Sequence, residues 1–176
     1  MRLRRLFFAL WPGEGVRRAL VAWQREHVPA SVRATHSQDL HLTLRFLGQV
    51  EEERVAELRA LGEHLAMPSF QLTLDHVGHW ARPAVLWTGP SDMPTELLSF
   101  QKRLEGELAP IGFQPEGRTF KPHVTLARKI RRPLSDARFE PVRWHVDEWV
   151  LAESRPGHQP LYHPIARWGA KSSFSD

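Results

Sequence analysis

Residues 41–48 read His-Leu-Thr-Leu-Arg-Phe-Leu-Gly, and residues 123–128 read His-Val-Thr-Leu-Ala-Arg. Both stretches open with a histidine, an aliphatic residue, a threonine and a leucine, and the two histidines stand 82 positions apart. Chance gives about 0.4 His-x-Thr matches in a chain of this composition, and roughly 0.02 once the aliphatic residue and the leucine are required. A pair of such matches therefore indicates a function rather than a coincidence.

The two motifs can place four polar side chains on one surface. On a β-strand, residues i and i+2 point to the same face, so His41 shares a face with Thr43, and His123 shares a face with Thr125. Two such strands facing one another would line a groove with two imidazoles and two hydroxyls. One neutral imidazole can accept a proton while the other, protonated, donates one, and the hydroxyls can bond to phosphoryl oxygens. This pattern favours phosphoryl chemistry that needs no metal.

The residues around the motifs repeat one order of elements. A strand is predicted at 5–10 and a helix at 13–28 before the first motif, and a strand at 84–88 and a helix at 94–109 before the second. A repeat this long, with no Pro-, Gly- or Ser-rich linker between its copies, predicts two similar lobes fused into one domain over residues 1–168.

Alternation and helical spacing predict the remaining elements. They are a strand over 40–47, a helix over 51–66, a strand over 70–74 with 84–88 as its hairpin partner across 78–83, and strands around 122–128, 143–152 and 161–168. The chain is thus a mixture of α and β structure. The small and polar residues 169–176 predict a flexible tail.

Length and composition exclude several classes of protein. The chain has 176 residues, 41% of them hydrophobic and 25% charged, which fits one ordinary globular domain. It has no cysteine, which excludes disulfides, thiolate catalysis and cysteine-bound zinc or iron–sulfur centres. No apolar run reaches the roughly 18 residues of a membrane span, so we expect a cytoplasmic protein. The net charge of +4, with 20 arginines among 24 basic residues, favours a phosphate-bearing partner.

The two motifs resemble the paired His-x-Thr-x signatures of the 2H phosphoesterases. More narrowly, they are similar to those of the RNA 2′,3′-cyclic phosphodiesterases, also called 2′-5′ RNA ligases (LigT or ThpR). The opening Arg5-Leu-Phe-Phe-Ala-Leu and the pair Lys121-Pro122 resemble the same branch, and the resemblance spans residues 5 to about 165. It implies a bilobed α+β fold with pseudo-two-fold duplicated lobes, antiparallel sheets lining a central groove, and helices outside.

The same resemblance implies a reaction and a partner. The reaction is hydrolysis of a 2′,3′-cyclic phosphate at an RNA end to a 2′-phosphate, with 2′-5′ ligation as its reverse, and it needs no cofactor and no metal. The partner is RNA with such an end, tRNA fragments included, bound by a monomer away from any membrane. Two alternatives stay open: a phosphodiesterase for another cyclic or 2′-5′ linked nucleotide, and a non-catalytic module that binds RNA ends.

The resemblance also implies roles for the motif residues. His41 is the general acid that donates a proton, and His123 is the general base that accepts one from water. The near-symmetric motifs do not by themselves fix this polarity. Thr43 and Thr125 hold the phosphate, and Arg128 matches the arginine that follows the second motif in the family, close to the phosphate.

Strand parity complicates the placement of Arg128. Simple alternation puts it on the side of Val124 and Leu126, away from the histidines. A strand end or a bulge at Ala127 is needed to turn Arg128 into the groove.

Two further side chains have open interpretations. Phe7 lies opposite the row Leu6, Phe8 and Leu10, and is either a surface on which a nucleobase stacks or a core aromatic residue. Arg45 shares parity with the first-motif histidine, and either lines the groove or ends the strand in solvent.

Overall fold

The protein is described here by a computed structural model that covers residues 1–134 and 137–169. Within this part of the chain the strands are β1 (Leu3–Leu10), β2 (Leu42–Glu51), β3 (Phe70–Leu74), β4 (His76–Trp80), β5 (Val85–Gly89), β6 (Val124–Arg128), β7 (Val142–Val146), β8 (Glu148–Ser154) and β9 (Tyr162–Gly169). The α-helices are α1 (Glu14–His27), α2 (Val55–His64) and α3 (Thr95–Leu108). Gly169 closes β9, and the rest of the predicted tail, 170–176, lies outside the described residues.

Proline and an apolar stripe set the bounds of the first helix. One face of α1 buries Leu20, Trp23 and Gln24, because residues three and four apart lie on one side of a helix. The helix ends at His27, and the backbone of the following Val28 is extended, with φ −78° and ψ 124°. The next residue is Pro29, and a residue before proline avoids the helical region. The predicted helix at 13–28 is therefore confirmed to within one residue at each end.

Seven strands form one sheet in the order β4-β5-β6-β2-β1-β8-β9, and neighbouring strands run antiparallel. The remaining two strands, β3 and β7, pair antiparallel in a small second sheet. Outward from the centre, β2-β1-β8 on one side corresponds to β6-β5-β4 on the other. The succession β1-α1-β2 is matched by β5-α3-β6, so the predicted duplication and the α+β class with antiparallel sheets are confirmed.

The large sheet has one face packed against helices and one face that carries the motif side chains. Leu6, Phe8 and Leu10 of β1 are fully buried with apolar residues of all three helices, among them Leu20, Leu58, Leu97 and Phe100. Each such side chain contributes about 1.5–3 kcal/mol by leaving water. Phe7 and Ala9 point to the opposite face, where they pack with Trp11, Val150 and Ala152.

Two of the predicted strand assignments are wrong. The hairpin partner of β5 is β4, which pairs with it from His76↔Gly89 to Trp80↔Val85, and β3 pairs instead with β7. The predicted strand over 143–152 is two strands in two different sheets, separated at Asp147. Periodicity identifies residues that suit a strand but carries no information on their partner. No helix in the described ranges is both long enough and apolar enough to cross a membrane.

Candidate active site

The two halves of the large sheet meet where the two motifs begin. Leu42 of β2 pairs with Val124 of β6, and both side chains are fully buried. Continuing this antiparallel register by one residue in each direction sets His41 opposite Thr125, and Thr43 opposite the second histidine. The structure thus brings together on one face the four polar residues that the sequence singled out.

The imidazole of His41 is held at both nitrogens. Its Nδ1–H donates to the carbonyl oxygen of Asp39 at 2.7 Å, and its Nε2 lies 3.0 Å from the Thr43 hydroxyl oxygen. A carbonyl oxygen only accepts, so the neutral ring carries its proton on Nδ1 and the Thr43 hydroxyl donates to Nε2. This arrangement leaves Nε2 as the nitrogen that can exchange a proton with a ligand in the groove.

His123 is oriented by the same device. Its Nδ1–H donates to the carbonyl oxygen of Lys121 at 2.7 Å, again the residue two positions earlier in the chain. The second motif therefore also directs Nε2 into the groove. Two imidazoles with the same tautomer on one face of the sheet can act as an acid and a base on one ligand.

Both histidines are neutral in the free protein near pH 7. Burial lowers the pKa of His41 to about 4, against a partly compensating hydrogen bond to the Asp39 carbonyl, and the charges of Arg128 and His123 lower it further. Burial also lowers the pKa of His123, again with a contribution from Arg128. A positive charge in a water-poor groove is unfavourable, so the site is suited to an anionic ligand.

A β-bulge brings Arg128 into the groove. β5 pairs with β6 through Trp87↔Thr125 and then Leu86↔Ala127 and Val85↔Arg128, so Leu126 is an extra residue without a partner. The extra residue inverts strand parity, and Arg128 comes to the face of Thr125, where it is exposed. The sequence required a bulge at Ala127, and the structure has one at the preceding residue.

The first motif contains the equivalent bulge. In the pairing of β1 with β2, Ala9↔Thr43 is followed by Phe8↔Arg45 and Phe7↔Phe46, which leaves Leu44 as the extra residue. Phe46 is consequently on the groove face, 47% exposed, at the position that Arg128 has in the second motif.

Both interpretations of Arg45 are corrected by the same bulge. The residue faces the core, is 8% exposed, and its guanidinium pairs with Glu105 at 2.9 Å and donates to the carbonyl of Gln114. A buried arginine held by a carboxylate and a carbonyl is a structural residue. It neither lines the groove nor ends the strand in solvent.

Three aromatic rings enclose His41. The Trp11 ring stacks on it with centroids 5.2 Å apart and 8° between planes, and Phe7 and Tyr162 lie at 4.9 Å. Phe7 is 1% exposed, so its ring has no open face for a nucleobase. Of the two interpretations of Phe7, its burial favours the core aromatic residue, which here supports His41.

Asp39 links the first motif to the start of β9, a contact that the sequence did not predict. Its carboxylate accepts hydrogen bonds from the backbone N–H groups of Leu161 at 3.2 Å and Tyr162 at 2.9 Å. Its carbonyl orients His41. Asp39 and Tyr162 are 123 positions apart, and no local pattern marks such a pair.

The other side chains with metal-binding chemistry have ordinary partners. His76 Nδ1 lies 3.2 Å from an Asp75 carboxylate oxygen, and His79 Nε2–H donates to the carbonyl of Ile130 at 2.6 Å. Among residues 1–134 and 137–169, no group of three or more His, Cys, Asp or Glu is arranged to hold a metal ion.

Comparison with known proteins gives one consistent result. The family described as LigT like Phosphoesterase matches residues 10–87 and 89–162. The chain is 34% identical over 171 residues to the RNA 2′,3′-cyclic phosphodiesterase of Escherichia coli (strain K12), covering 94% of this chain and 96% of that one. The crystal structure of E. coli LigT in apo form superposes with a TM-score of 0.86 at 31% identity, covering 98% and 100% of the two chains. The structure of E. coli LigT complexed with 3′-AMP gives a TM-score of 0.86, with 97% and 100% covered.

Proposed function

The chain belongs to the LigT-like phosphoesterases of the 2H superfamily, and on that basis we propose that it is an RNA 2′,3′-cyclic phosphodiesterase working by two-histidine acid–base catalysis without a metal. Relatives that carry that enzyme name match 77% to 94% of this chain. The observation that carries the mechanism is the pair of imidazoles, His41 and His123, each held through Nδ1 by the carbonyl two residues earlier. Both therefore turn Nε2 toward one groove.

In the proposed reaction, His123 Nε2 accepts a proton from water while the water oxygen bonds to phosphorus. The bond between phosphorus and the ribose O3′ breaks, and His41 Nε2–H donates its proton to O3′. The product is a 2′-phosphomonoester with a free 3′-hydroxyl. One proton enters from His41 and one leaves to His123, so the pair returns to its starting state by exchange with solvent.

The anionic substrate supplies the protonation state that this reaction needs. Both imidazoles are neutral in the free protein, because burial and Arg128 lower their pKa values. A phosphodiester between them carries one negative charge, which favours the imidazolium form of the neighbouring ring. We assign this proton to His41, following the roles that the family implies. The face of the Trp11 indole lies against this ring, and an aromatic face attracts a cation.

The phosphate oxygens have donors on both sides of the groove. Thr43 and Thr125 present hydroxyls from the same face as the histidines, and the β-bulge turns the guanidinium of Arg128 to that face. In the free protein the Thr43 hydroxyl donates to His41 Nε2, so it becomes a donor to phosphate once that nitrogen carries a proton. Hydrogen-bond donors aimed at developing negative charge stabilise it. We propose these three residues as the phosphate-binding set.

Ligation follows from the same chemistry with the ribose 5′-hydroxyl of a second RNA end in the place of water. His123 Nε2 accepts the proton of that hydroxyl while its oxygen bonds to phosphorus, the bond between phosphorus and O3′ breaks, and His41 Nε2–H donates its proton to O3′. The product is a 2′-5′ linkage. When the two histidines exchange roles, the 3′-hydroxyl attacks that linkage, the 5′-oxygen leaves with a proton from His123, and the cyclic phosphate forms again. We propose this as a reversible activity on RNA ends that bind side by side.

The deciding experiment uses RNA that ends in a 2′,3′-cyclic phosphate, incubated with purified protein in EDTA, with the product ends identified. We expect a 2′-phosphate, formed by the wild type and by a His158→Asn control, in which an exposed loop histidine is removed. His123→Asn should form almost none. Tight RNA binding without turnover would instead favour a module that binds RNA ends, and turnover that EDTA abolishes would contradict the metal-free mechanism.

A further inference from the structure

A second aromatic group lies beside His123, on the β4–β5 hairpin. The Trp80 ring stands at 77° to the imidazole with centroids 4.6 Å apart, and Trp87 packs against Trp80 at 5.0 Å. Gly78 makes room for this pair, since a Cβ there would lie 2.1 Å from the Trp87 ring. Trp80 and Trp87 are both partly exposed. We refer to these two residues as the hairpin platform.

The two sides of the groove differ in how open they are. On the first-motif side, two of the three rings that surround the imidazole are closed off, with Phe7 1% and Trp11 7% exposed. The third, Tyr162, is partly exposed and stands edge-on to His41. On the second-motif side, the hairpin platform is accessible. A nucleoside attached to a phosphate between the histidines has an available aromatic surface there.

Exposed positive charge also lies on the second-motif side. Arg82 in the turn of the β4–β5 hairpin, Lys121 just before the second motif, and Arg128 after it are all exposed. On the first-motif side, the arginine of the strand, Arg45, is buried in its pair with Glu105. Exposed cations beside an aromatic surface are the combination with which proteins bind single-stranded nucleic acid.

We propose that Trp80 is the stacking surface for the nucleobase of the terminal nucleotide, the one that carries the phosphate. This inference rests on the proposed function only in placing the phosphate between the two histidines. Stacking on an indole does not depend on the hydrogen-bonding edge of the base, so the site accepts RNA ends of any sequence. The competing surface is Phe46, the exposed ring that the first bulge turns to the groove.

The test separates the base from the phosphate by measuring binding without turnover. Calorimetry gives Kd for adenosine 3′-monophosphate and for inorganic phosphate, on the wild type, Trp80→Leu, Trp80→Phe and Phe46→Leu. Leucine keeps an apolar side chain next to His123 and removes the aromatic face. We expect Trp80→Leu to weaken nucleotide binding by about 10-fold or more and to leave phosphate binding unchanged. Trp80→Phe should retain most of the nucleotide affinity, and Phe46→Leu should alter neither.

Several outcomes would overturn the assignment. Equal weakening of both ligands by Trp80→Leu would mean that Trp80 only supports His123. A loss carried by Phe46→Leu would place the base on the other side of the groove. Wild-type protein that binds the nucleotide no better than phosphate would exclude a base site altogether. Because none of these measurements uses catalysis, absence of hydrolysis alongside Trp80-dependent nucleotide binding would count against the proposed function alone.

Discussion

The indole of Trp11 lies parallel to the imidazole of His41, with ring centroids 5.2 Å apart and planes 8° from parallel. The negative face of an indole attracts a cation, so this contact favours the imidazolium that burial otherwise disfavours. The pKa of His41 is therefore set by two opposing effects: burial lowers it, and the stacked indole raises it. Trp11 follows β1 directly and precedes Pro12. Its side chain packs in the buried cluster with Phe7, Ala9, Val150 and Ala152.

Replacing Trp11 should shift the pH dependence of catalysis. Trp11→Leu keeps an apolar neighbour and removes the aromatic face, so the pKa of His41 falls by up to about one unit. With less imidazolium at a given pH, the alkaline limb of the rate profile moves to lower pH. The pKa is measured by NMR titration of the His41 ring, and the limb by kcat at several pH values. Trp11→Phe should restore most of the wild-type pKa, and an unchanged profile in Trp11→Leu would show that the stacked ring contributes packing only.

Removing either of the two imidazoles proposed as acid and base should abolish most turnover. His41→Asn and His123→Asn should each lower kcat by about 10²- to 10⁴-fold, the range for a general acid or base. Circular dichroism should remain that of the wild type, since both rings lie on the groove face above buried Leu42 and Val124. His158→Asn controls for loss of a histidine elsewhere. Near-normal rates in either motif variant would contradict the two-histidine mechanism.

The rate should be highest in mildly acidic solution when measured as kcat/KM. This ratio reports the free enzyme, in which the pKa of His41 is about 4 and that of His123 lies below its usual 6.5. The reactive form carries one proton on the pair of histidines, so it is most abundant at a pH between the two apparent pKa values. Above both pKa values, kcat/KM falls about tenfold per pH unit. The bound phosphate raises both pKa values, so the kcat profile should peak at higher pH. A kcat/KM that still rises above pH 8 would refute this.

The bidentate pair between Arg4 and Glu153 should matter for stability. Arg4 Nε and Nη2 each donate to a carboxylate oxygen at 2.9 Å, and Arg155 adds a third bond at 2.9 Å. These hydrogen bonds lower the pKa of Glu153 to about 2, and the largest contribution comes from Arg4. A lowered carboxyl pKa stabilises the fold above the unfolded value, and the stabilisation is lost as pH falls from about 4.5 toward 2.

The substitution Glu153→Gln removes this charge with little change of shape. The shift in pKa corresponds to about 3 kcal/mol at neutral pH, which urea unfolding at pH 7 can measure. The loss should shrink when the comparison is repeated near pH 3. Glu148→Gln, which breaks an exposed pair with Arg167, should cost less than about 1 kcal/mol. Equal effects of both variants would mean that the buried pair contributes no more than a surface one.

Local sequence predicted much of this protein correctly. Apolar spacing identified α1 and α3 to within one residue of their observed ends, because a helix is stabilised by contacts between residues three and four apart. Strand alternation placed His41 with Thr43, and His123 with Thr125, since that relation depends on two successive peptide units only. Both are short-range properties.

Strand pairing was harder to predict. β4 reads His-Val-Gly-His-Trp, with no alternation of polar and apolar residues. It is a strand because β5 offers hydrogen bonds to it and because Gly78 admits the Trp87 ring. Such a strand is specified by its neighbour rather than by its own residues.

Local sequence was enough to predict the duplicated β-α-β layout, the four polar residues of the candidate site and the family. The orientation of the side chains beyond each His-x-Thr motif depends instead on how the strands pair. The extra residues Leu44 and Leu126 reverse the alternation of side chains along their strands. As a result, Arg45 faces the core and Arg128 faces the groove. A bulge arises when one strand has a residue more than its partner can match. It is therefore a property of two strands together, and so are the distant contacts that hold Trp11 and Asp39 in the site.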